Sequence, residues 1–209
     1  RNLRTINMGI YSAMLSGFSL GFSLILAIGA QNAFVLQQGI RNQHVFWTCL
    51  CCALSDAVLI GAGVSGFAAL ISLYPWVDSA ARYGGAMFLI GYGLFSFKSA
   101  VFGSNYMDYS EARKPQSLSS ALLMCFAFTW LNPHVYLDTL FLIGSVSTQF
   151  EGQRIYFAFG AMAASFAFFF LLGYGSRRLT PLFAKPVAWR YFNAVIGLTM
   201  VTIAASLIF

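Results

Sequence analysis

The hydrophobic residues of this chain are gathered into six long runs, separated by short polar or turn-rich breaks. The breaks carry the sequences QQGIRNQH, YPWVD, GSNYMDYSEARKPQ, STQFEGQR and GSRRLTPLFAKP. A helix needs about 20 residues to cross the hydrocarbon core of a bilayer, and each run reaches that length. The pattern predicts an all-α polytopic membrane protein with six spans, at residues 9–38, 44–73, 80–103, 117–148, 154–175 and 187–209.

The first and fourth runs have about 30 residues each, too many for a simple straight crossing. In the fourth run Asn132 and Pro133 form a helix start signal, because Asn is favoured at the N-cap and Pro at the first helical position. In the first run Gly29, Gln31 and Asn32 lie at the corresponding depth. We expect both spans to be interrupted, with an ordinary proline kink as the alternative at Pro133.

The two halves of the chain resemble each other. NAFVL at 32–36 aligns with NPHVYL at 132–137 with one inserted residue, and RYGGAMFLIG at 82–91 aligns with RYFNAVIG at 190–197. Three crossings per half is an odd number, so the halves enter the membrane with opposite orientations, as in the inverted repeats of many secondary transporters. The predicted units are a first three-helix repeat at 9–103, a hydrophilic loop at 104–116 and a second three-helix repeat at 117–209.

Composition agrees with a membrane location. The chain is 59% hydrophobic and 9% charged, with a mean hydropathy of +0.73, whereas a soluble domain has about 25% charged residues. The net charge of +6 comes mostly from basic residues at the ends of apolar runs, where they anchor spans at the membrane surface. No basic run with interleaved polar residues appears, which excludes a nucleic-acid partner.

The Lys and Arg residues are distributed unevenly between the two sides of the predicted membrane. The eight in loops 1–2, 3–4 and 5–6 are Arg41, Lys98, Arg113, Lys114, Arg177, Arg178, Lys185 and Arg190. The four in the N-terminal segment and the other loops are Arg1, Arg4, Arg82 and Arg154. The positive-inside rule therefore predicts that the first set is cytoplasmic and that both termini lie outside.

Two acidic residues, Asp56 and Asp138, lie within apolar runs. A carboxylate inside the membrane is a functional-site hypothesis by default, with ion pairing to Arg82 or Arg190, or protonation and burial, as the alternatives. His134 precedes Asp138 by four residues and would share its face of a regular helix. The imidazole could relay protons to the carboxylate, or it could be a core histidine or a cap at the break.

Two interrupted spans at matching positions predict a transport site near the middle of the membrane. The N-terminus of a half-helix presents free N–H groups and a partial positive charge, which suit a carboxylate. The carbonyl groups freed at a break suit an ammonium group. The candidate site residues are Gln31, Asn32, Asp56, Asn132, Pro133, His134 and Asp138. No metal site and no cofactor are predicted.

The cysteines and two of the glycines have simpler interpretations. The cysteines form no C-x-x-C motif and lie in apolar runs, which is typical of small buried residues rather than redox or metal sites. They are Cys49, Cys51, Cys52 and Cys125. Gly17 and Gly21 form a G-x-x-x-G motif, which predicts close packing of two helices.

Several motifs resemble those of the lysine/arginine exporter family, often called the LysE family. They are GAQNAFVLQQGIR, LSDAVLIGAG, TWLNPHVYLDTLFLIGSV and WRYFNAVIGLTM, and the resemblance extends from about Gly17 to the last span. It implies export of lysine, arginine or, as in some relatives, another amino acid, driven by the proton gradient. His134 matches the arginine-exporting members but does not separate arginine from lysine. The family's motif positions fall on Gln31, Asn32, Asp56, Asn132, Pro133 and Asp138.

Together these features predict a secondary transporter, not an enzyme, in the cytoplasmic (inner) membrane of a bacterium. The expected partners are a basic L-amino acid, the proton as coupling ion and the lipid bilayer, and a homo-oligomer is left open. Alternating access would move the substrate past a midplane site, with a proton exchanged at an aspartate. The alternatives are an exporter of neutral amino acids or of a divalent cation, a membrane thiol-redox protein, and a passive scaffold.

Overall fold

The computed structural model describes residues 3–26, 29–66, 75–102, 116–182 and 186–208, and these ranges contain helices and turns but no strands. The predicted hydrophilic loop at 104–116 lies outside the described residues, apart from Gln116. One segment, Leu137–Ile143, is π-helical, and Ser176–Leu179 forms a 3-10 turn. The helices are α1 (Leu3–Ile25), α2 (Ala30–Arg41), α3 (Val45–Val64), α4 (Pro75–Phe102), α5 (Leu118–Trp130), α6 (Pro133–Tyr136), α7 (Gly144–Ser147), α8 (Arg154–Gly175) and α9 (Pro186–Ile208).

Four stretches of the described chain are helical, long and apolar enough to cross a membrane, and they lie in α3, α4, α8 and α9. α1 and α2 together form a further candidate crossing with a sharp bend. α5 is apolar but has only 13 residues, fewer than the roughly 20 that a straight crossing needs. The fold is therefore that of an all-α polytopic membrane protein, while the number of six spans stays a prediction.

The predicted interruption of the first span is confirmed. The helical axis turns by 81° between Ile25 and Ala30, and Gly29 is the N-cap of α2. Across this break the Asn32 side chain donates from Nδ2 to the carbonyl oxygen of Ile25 at 2.7 Å, which satisfies a carbonyl group at the end of α1. Almost every residue of α2 is buried, so this short helix runs through the protein interior rather than along lipid.

The second predicted break is confirmed at Asn132 and Pro133. Asn132 is the N-cap of α6, and its Oδ1 accepts a hydrogen bond from the N–H of His134 at 3.1 Å. Pro133 occupies the first helical position, where its missing N–H leaves no bond unmade. The two aligned asparagines nevertheless do different things, because Asn132 caps its helix whereas Asn32 is the third residue of α2.

The π-helical segment that carries Asp138 was not expected from the sequence. Thr139 Oγ1 donates to the carbonyl oxygen of Val135 at 2.5 Å. In a regular α-helix that carbonyl would accept the N–H of Thr139 itself, so the hydroxyl competes with the backbone for this acceptor. Single π-helical turns within α-helices are frequently found at functional sites.

Close helix packing surrounds these breaks. α1 and α3 both pack on α8, α4 packs on α9, and α3 also contacts α5 and the π-helical segment. A Cβ atom on Gly17 would lie 2.0 Å from the carbonyl oxygen of Phe157, and one on Gly160 would lie 2.0 Å from that of Met14. Backbones can approach this closely only where side chains are absent, so the packing role predicted for the G-x-x-x-G motif is confirmed.

Phe128, at the end of α5 before the break, is the centre of an aromatic core. Its ring lies 5.3 Å from that of Phe34 in α2, and 5.1 Å and 4.8 Å from those of Phe88 and Tyr92 in α4, measured between centroids. Phe128 itself is fully buried. These contacts, each worth roughly 0.5–1.5 kcal/mol beyond area burial, hold α2 beside α5 and so place the two interrupted spans side by side.

Candidate functional site

A cavity of about 250 Å³ lies between the two breaks. Its size is slightly below the roughly 300–1,000 Å³ of sites for drug-sized ligands, which suits a small molecule. Apolar walls are supplied by Leu24, Ile25, Ile60, Ile143 and Ile203. Six of the seven predicted site residues line the cavity, namely Gln31, Asn32, Asp56, Asn132, His134 and Asp138. The seventh, Pro133, is buried at the start of α6.

Asp56 in α3 is only 3% exposed. Its Oδ2 accepts a hydrogen bond from the hydroxyl of Ser165 in α8 at 2.8 Å. Its Oδ1 has no hydrogen bond partner within the described ranges. An unpaired buried acceptor costs about 1–3 kcal/mol, and more when it is charged. The atom is therefore the strongest single indication that a cation or a proton belongs in this cavity.

Ser165 is a site residue that the sequence analysis missed. It is the only Ser or Thr between Gln153 and Ser176, in the middle of an otherwise apolar helix. A lone hydroxyl at that depth needs a hydrogen bond partner. That signal was present in the sequence, although the identity of the partner, 109 residues away, was not.

Gln31, the second residue of α2, is the counterpart of Asp56. Its side chain lies beside the Asp56 carboxylate and is 7% exposed. Its Nε2 has no hydrogen bond partner in the part of the chain that the structure describes. A buried donor and a buried acceptor thus lie close to each other at one end of the cavity, without a hydrogen bond of standard geometry between them.

The N-termini of the two half-helices differ. Gly29 provides no side-chain cap for α2, and the N–H groups of Ala30 and Gln31 at its start have no acceptor within the helix. At α6 the Asn132 side chain already accepts the N–H of His134, and Pro133 has no N–H to offer. Donors and the positive end of a helix dipole therefore face the cavity mainly from α2.

Asp138 and His134 form the other polar end of the cavity. The Asp138 side chain is half-buried and that of His134 is exposed, and the imidazole lies close enough to act electrostatically on the carboxylate. Both line the cavity, as expected from their spacing, even though α6 gives way to π-helix between them. Of the two proposed ion-pair partners, Arg190 donates from Nε to the carbonyl oxygen of Ala100 at 3.1 Å. The side chain of Arg82 lies outside the description.

Trp130 stabilises the second break rather than lining the cavity. Its Nε1 donates to Ser55 Oγ at 3.2 Å, and its carbonyl oxygen accepts the hydroxyl of Tyr136 at 2.5 Å. The last carbonyls of α5 lack helical partners, so the Tyr136 hydroxyl satisfies one of them. The break is thereby tied both to α3 and to the helix that follows.

The cysteines lie beside the site without entering it. The sulfur atoms of Cys52 in α3 and Cys125 in α5 are 3.0 Å apart, and both side chains are fully buried. The Cys49 thiol donates to the carbonyl oxygen of Phe169. All four cysteines are free thiols. Within the described ranges no group of three or more His, Cys, Asp or Glu side chains is arranged to hold a metal ion.

Comparison with known proteins places this chain in a family. Residues 22–209 match the family described as LysE type translocator. The arginine exporter protein ArgO of Pectobacterium carotovorum is 42% identical over 95% of this chain and 97% of its own length. The ArgO protein of Escherichia coli is 40% identical over 95% and 94%, respectively.

A Mycobacterium tuberculosis protein, Rv0488, whose name assigns it provisionally to the amino-acid transporters, is 45% identical over 87% of this chain and 90% of its own length. No solved structure matches the chain. Since the matched family covers all but the first 21 residues and the described helices include several that can cross a membrane, the chain belongs to the LysE type translocators and is a multi-pass transport protein of the bacterial inner membrane.

Proposed function

We propose that this protein exports a basic L-amino acid, arginine or lysine, from the cytoplasm in exchange for protons. The cavity between the two helix breaks is the binding site, and it is reached alternately from each side of the membrane. The observation that carries the proposal is the unpaired, buried Oδ1 of Asp56 in a cavity that also contains Asp138. The names of the ArgO relatives support the same substrate class.

The chemistry of the cavity fits a basic amino acid. Such a substrate carries a carboxylate, an α-ammonium and a side-chain cation joined by an aliphatic stem. The cavity provides a helix N-terminus, two carboxylates and apolar walls. Long cationic side chains pack their methylene groups on apolar surface while their charged ends reach polar partners. A neutral amino acid would leave one of the two carboxylates without a counter-charge.

Proton coupling follows if substrate and proton compete for one carboxylate. We assign this role to Asp138, which is half-buried beside His134 and can therefore exchange a proton with water more readily than the fully buried Asp56. A carboxylate that holds either the substrate cation or a proton, but not both, makes the two fluxes depend on each other. Intramembrane acids serve as proton relays in many pumps and transporters.

The helix contacts support an architecture of two three-helix repeats, and the odd number of predicted spans in each half is what makes these repeats inverted. α1 lies in span one and α8 in span five, whereas α3 lies in span two and both α5 and the π-helical segment lie in span four. Exchanging the two halves therefore converts the contact of α1 with α8 into the contact of α3 with α5 and the π-helical segment. The contacts of α3 with α8 and of α4 with α9 are converted into themselves. All of these contacts are present. The site would then lie at the interface of the repeats, as in other transporters of this plan.

The test is transport of labelled arginine and lysine by the purified protein in proteoliposomes, with and without an imposed pH gradient. We expect the pH gradient to accelerate transport of both arginine and lysine. We expect no transport of neutral amino acids. Asp138→Asn should abolish transport while the protein still inserts, and Glu151→Gln, which removes an exposed acid outside the cavity, should not. Unimpaired transport by Asp138→Asn would contradict the role of the carboxylate. Transport of neutral amino acids alone would favour the alternative exporter.

A further inference from the structure

We infer, on the basis of the proposed export function, that the substrate occupies the cavity in one orientation. Its α-carboxylate lies at the N-terminus of α2 against the amide of Gln31, its α-ammonium contacts Asp56, and its side-chain cation points toward Asp138. Gln31 is then the residue that recognises the carboxylate common to all amino acids. Asp138 is the residue that selects a cationic side chain.

The difference between the two half-helix N-termini locates the carboxylate. The α6 N-terminus is already capped by Asn132 and lacks one donor at Pro133. The α2 N-terminus has no side-chain cap, and the unpaired Nε2 of Gln31 lies in its first turn. Because Gln31 is 7% exposed, its amide cannot be satisfied by bulk solvent. An anionic group at α2 would satisfy the amide and the helix dipole together.

The pairing of Gln31 with Asp56 matches the geometry of an α-amino acid. The carboxylate and the ammonium of such a molecule are bonded to the same carbon, so their protein partners must also be neighbours. Gln31 Nε2 is an unpaired donor and Asp56 Oδ1 is an unpaired acceptor, and the two side chains lie beside each other. Ser165 holds the second carboxylate oxygen, which leaves Oδ1 for the ligand.

The opposite orientation pairs groups that repel. A guanidinium or ammonium side chain has only hydrogen bond donors. Placed beside Asp56 without a carboxylate next to it, such a cation would leave the Gln31 amide donor and the positive end of α2 with no acceptor. The α-carboxylate would then lie toward the Asp138 carboxylate, which repels it. At the Asp138 end no helix N-terminus with free donors is present among the described residues, and the half-buried carboxylate can be reached by a weakly hydrated guanidinium.

The orientation predicts that variants of Gln31 and of Asp138 lose discrimination against different analogues of arginine. The probes are arginine, argininamide (no carboxylate) and citrulline (no side-chain charge), measured by equilibrium binding to the purified protein. We expect the wild-type protein to bind each analogue at least about tenfold more weakly than arginine, because each loses a hydrogen bond to a charged group. Gln31→Met should weaken the binding of arginine but not that of argininamide. The ratio of the two affinities, called the argininamide ratio, should therefore fall toward one. Asp138→Asn should weaken the binding of arginine but not that of citrulline, so that the ratio of these two affinities falls toward one. The argininamide ratio should stay at its wild-type value.

Gln37→Glu is the matched control, with Gln31→Glu as its counterpart at the site. Gln37 lies on the same helix and is also 7% exposed, but it accepts a hydrogen bond from Tyr92 and does not line the cavity. Gln31→Glu keeps the side-chain length and places a negative charge against the carboxylate, so it should prefer argininamide over arginine. Gln37→Glu should keep both wild-type ratios.

Two results would overturn the orientation. One is an unchanged argininamide ratio in both Gln31 variants. The other is loss of citrulline discrimination in Asp56→Asn with its retention in Asp138→Asn. Either result, with a wild-type protein that still transports arginine, rejects the orientation alone. A wild-type protein that transports no basic amino acid rejects the proposed function itself.

Discussion

The hydroxyl of Ser165 on α8 donates a 2.8 Å hydrogen bond to Oδ2 of Asp56 on α3, and both side chains are buried. α3 and α8 are the middle helices of the two proposed repeats, so the carboxylate on one repeat is oriented from the other. A hydrogen bond to a charged acceptor contributes roughly 1.5–3 kcal/mol. In a buried site it also fixes which oxygen atom remains available to a ligand.

The first prediction concerns this bond. Ser165→Ala should lower the initial rate of labelled arginine transport about tenfold, because the Asp56 carboxylate loses its orienting donor. Ser165→Thr, which keeps the hydroxyl, should restore most of the rate. Ser147→Ala is the control, since Ser147 is equally buried but donates only to the carbonyl oxygen of Gly144. Equal rates for Ser165→Ala and Ser147→Ala would show that the bond has no role in transport.

The second prediction compares two adjacent glycines of α4. A Cβ atom on Gly85 would lie 2.0 Å from the carbonyl oxygen of Leu131 and 3.0 Å from Cδ of Pro133, whereas one on Gly84 meets nothing within 4 Å. Gly85→Ala should therefore push α4 away from the second break. Overpacking of this kind typically lowers the free energy of unfolding by about 1–3 kcal/mol, so the melting temperature should fall. Gly84→Ala should be neutral in a thermal unfolding assay in detergent. A neutral Gly85→Ala would mean that α4 does not contact the break.

The third prediction tests the π-helical segment. Thr139→Val removes the hydroxyl that occupies the Val135 carbonyl while nearly preserving side-chain shape. We expect a reduced transport rate, because the widened turn that carries Asp138 loses its competing hydrogen bond. Thr199→Val removes an equivalent hydroxyl bond to a carbonyl four residues earlier on α9, outside the cavity, and should retain the wild-type rate. Similar behaviour of the two variants in proteoliposomes would argue against a special role for the π turn.

The fourth prediction separates transport from thiol chemistry. Replacing Cys49, Cys51, Cys52 and Cys125 together with Ala should leave arginine transport measurable, since the thiols lie beside the cavity without lining it. Each buried sulfur removed should cost about 1 kcal/mol of stability, so protein amount in the membrane must be measured in parallel. Complete loss of transport with normal insertion would favour the thiol-redox alternative.

The parts of this fold that could be predicted are those encoded by neighbouring residues. Asn132, through its side chain, and Pro133, through its ring, specify a helix start locally, so the second break was found from the sequence. The π turn depends on where the Thr139 hydroxyl points, and the Asp56–Ser165 bond joins residues that are 109 positions apart in the sequence. Such contacts are decided by tertiary packing. Asn32 and Asn132 align in the sequence, and the alignment does not show that Asn132 caps its helix whereas Asn32 does not.

The burial of α2 has a consequence for how the substrate leaves. A short helix surrounded by packed side chains on nearly every face can shift only if the core repacks, because protein interiors have few voids. If the cavity opens alternately to the two sides of the membrane as proposed, we expect the wall formed by α2 to stay the same in both states. With the proposed orientation, differences in affinity between the inward and outward states should then arise at the half-exposed end with His134 and Asp138, and we expect release to be controlled at the side chain of the substrate rather than at its carboxylate.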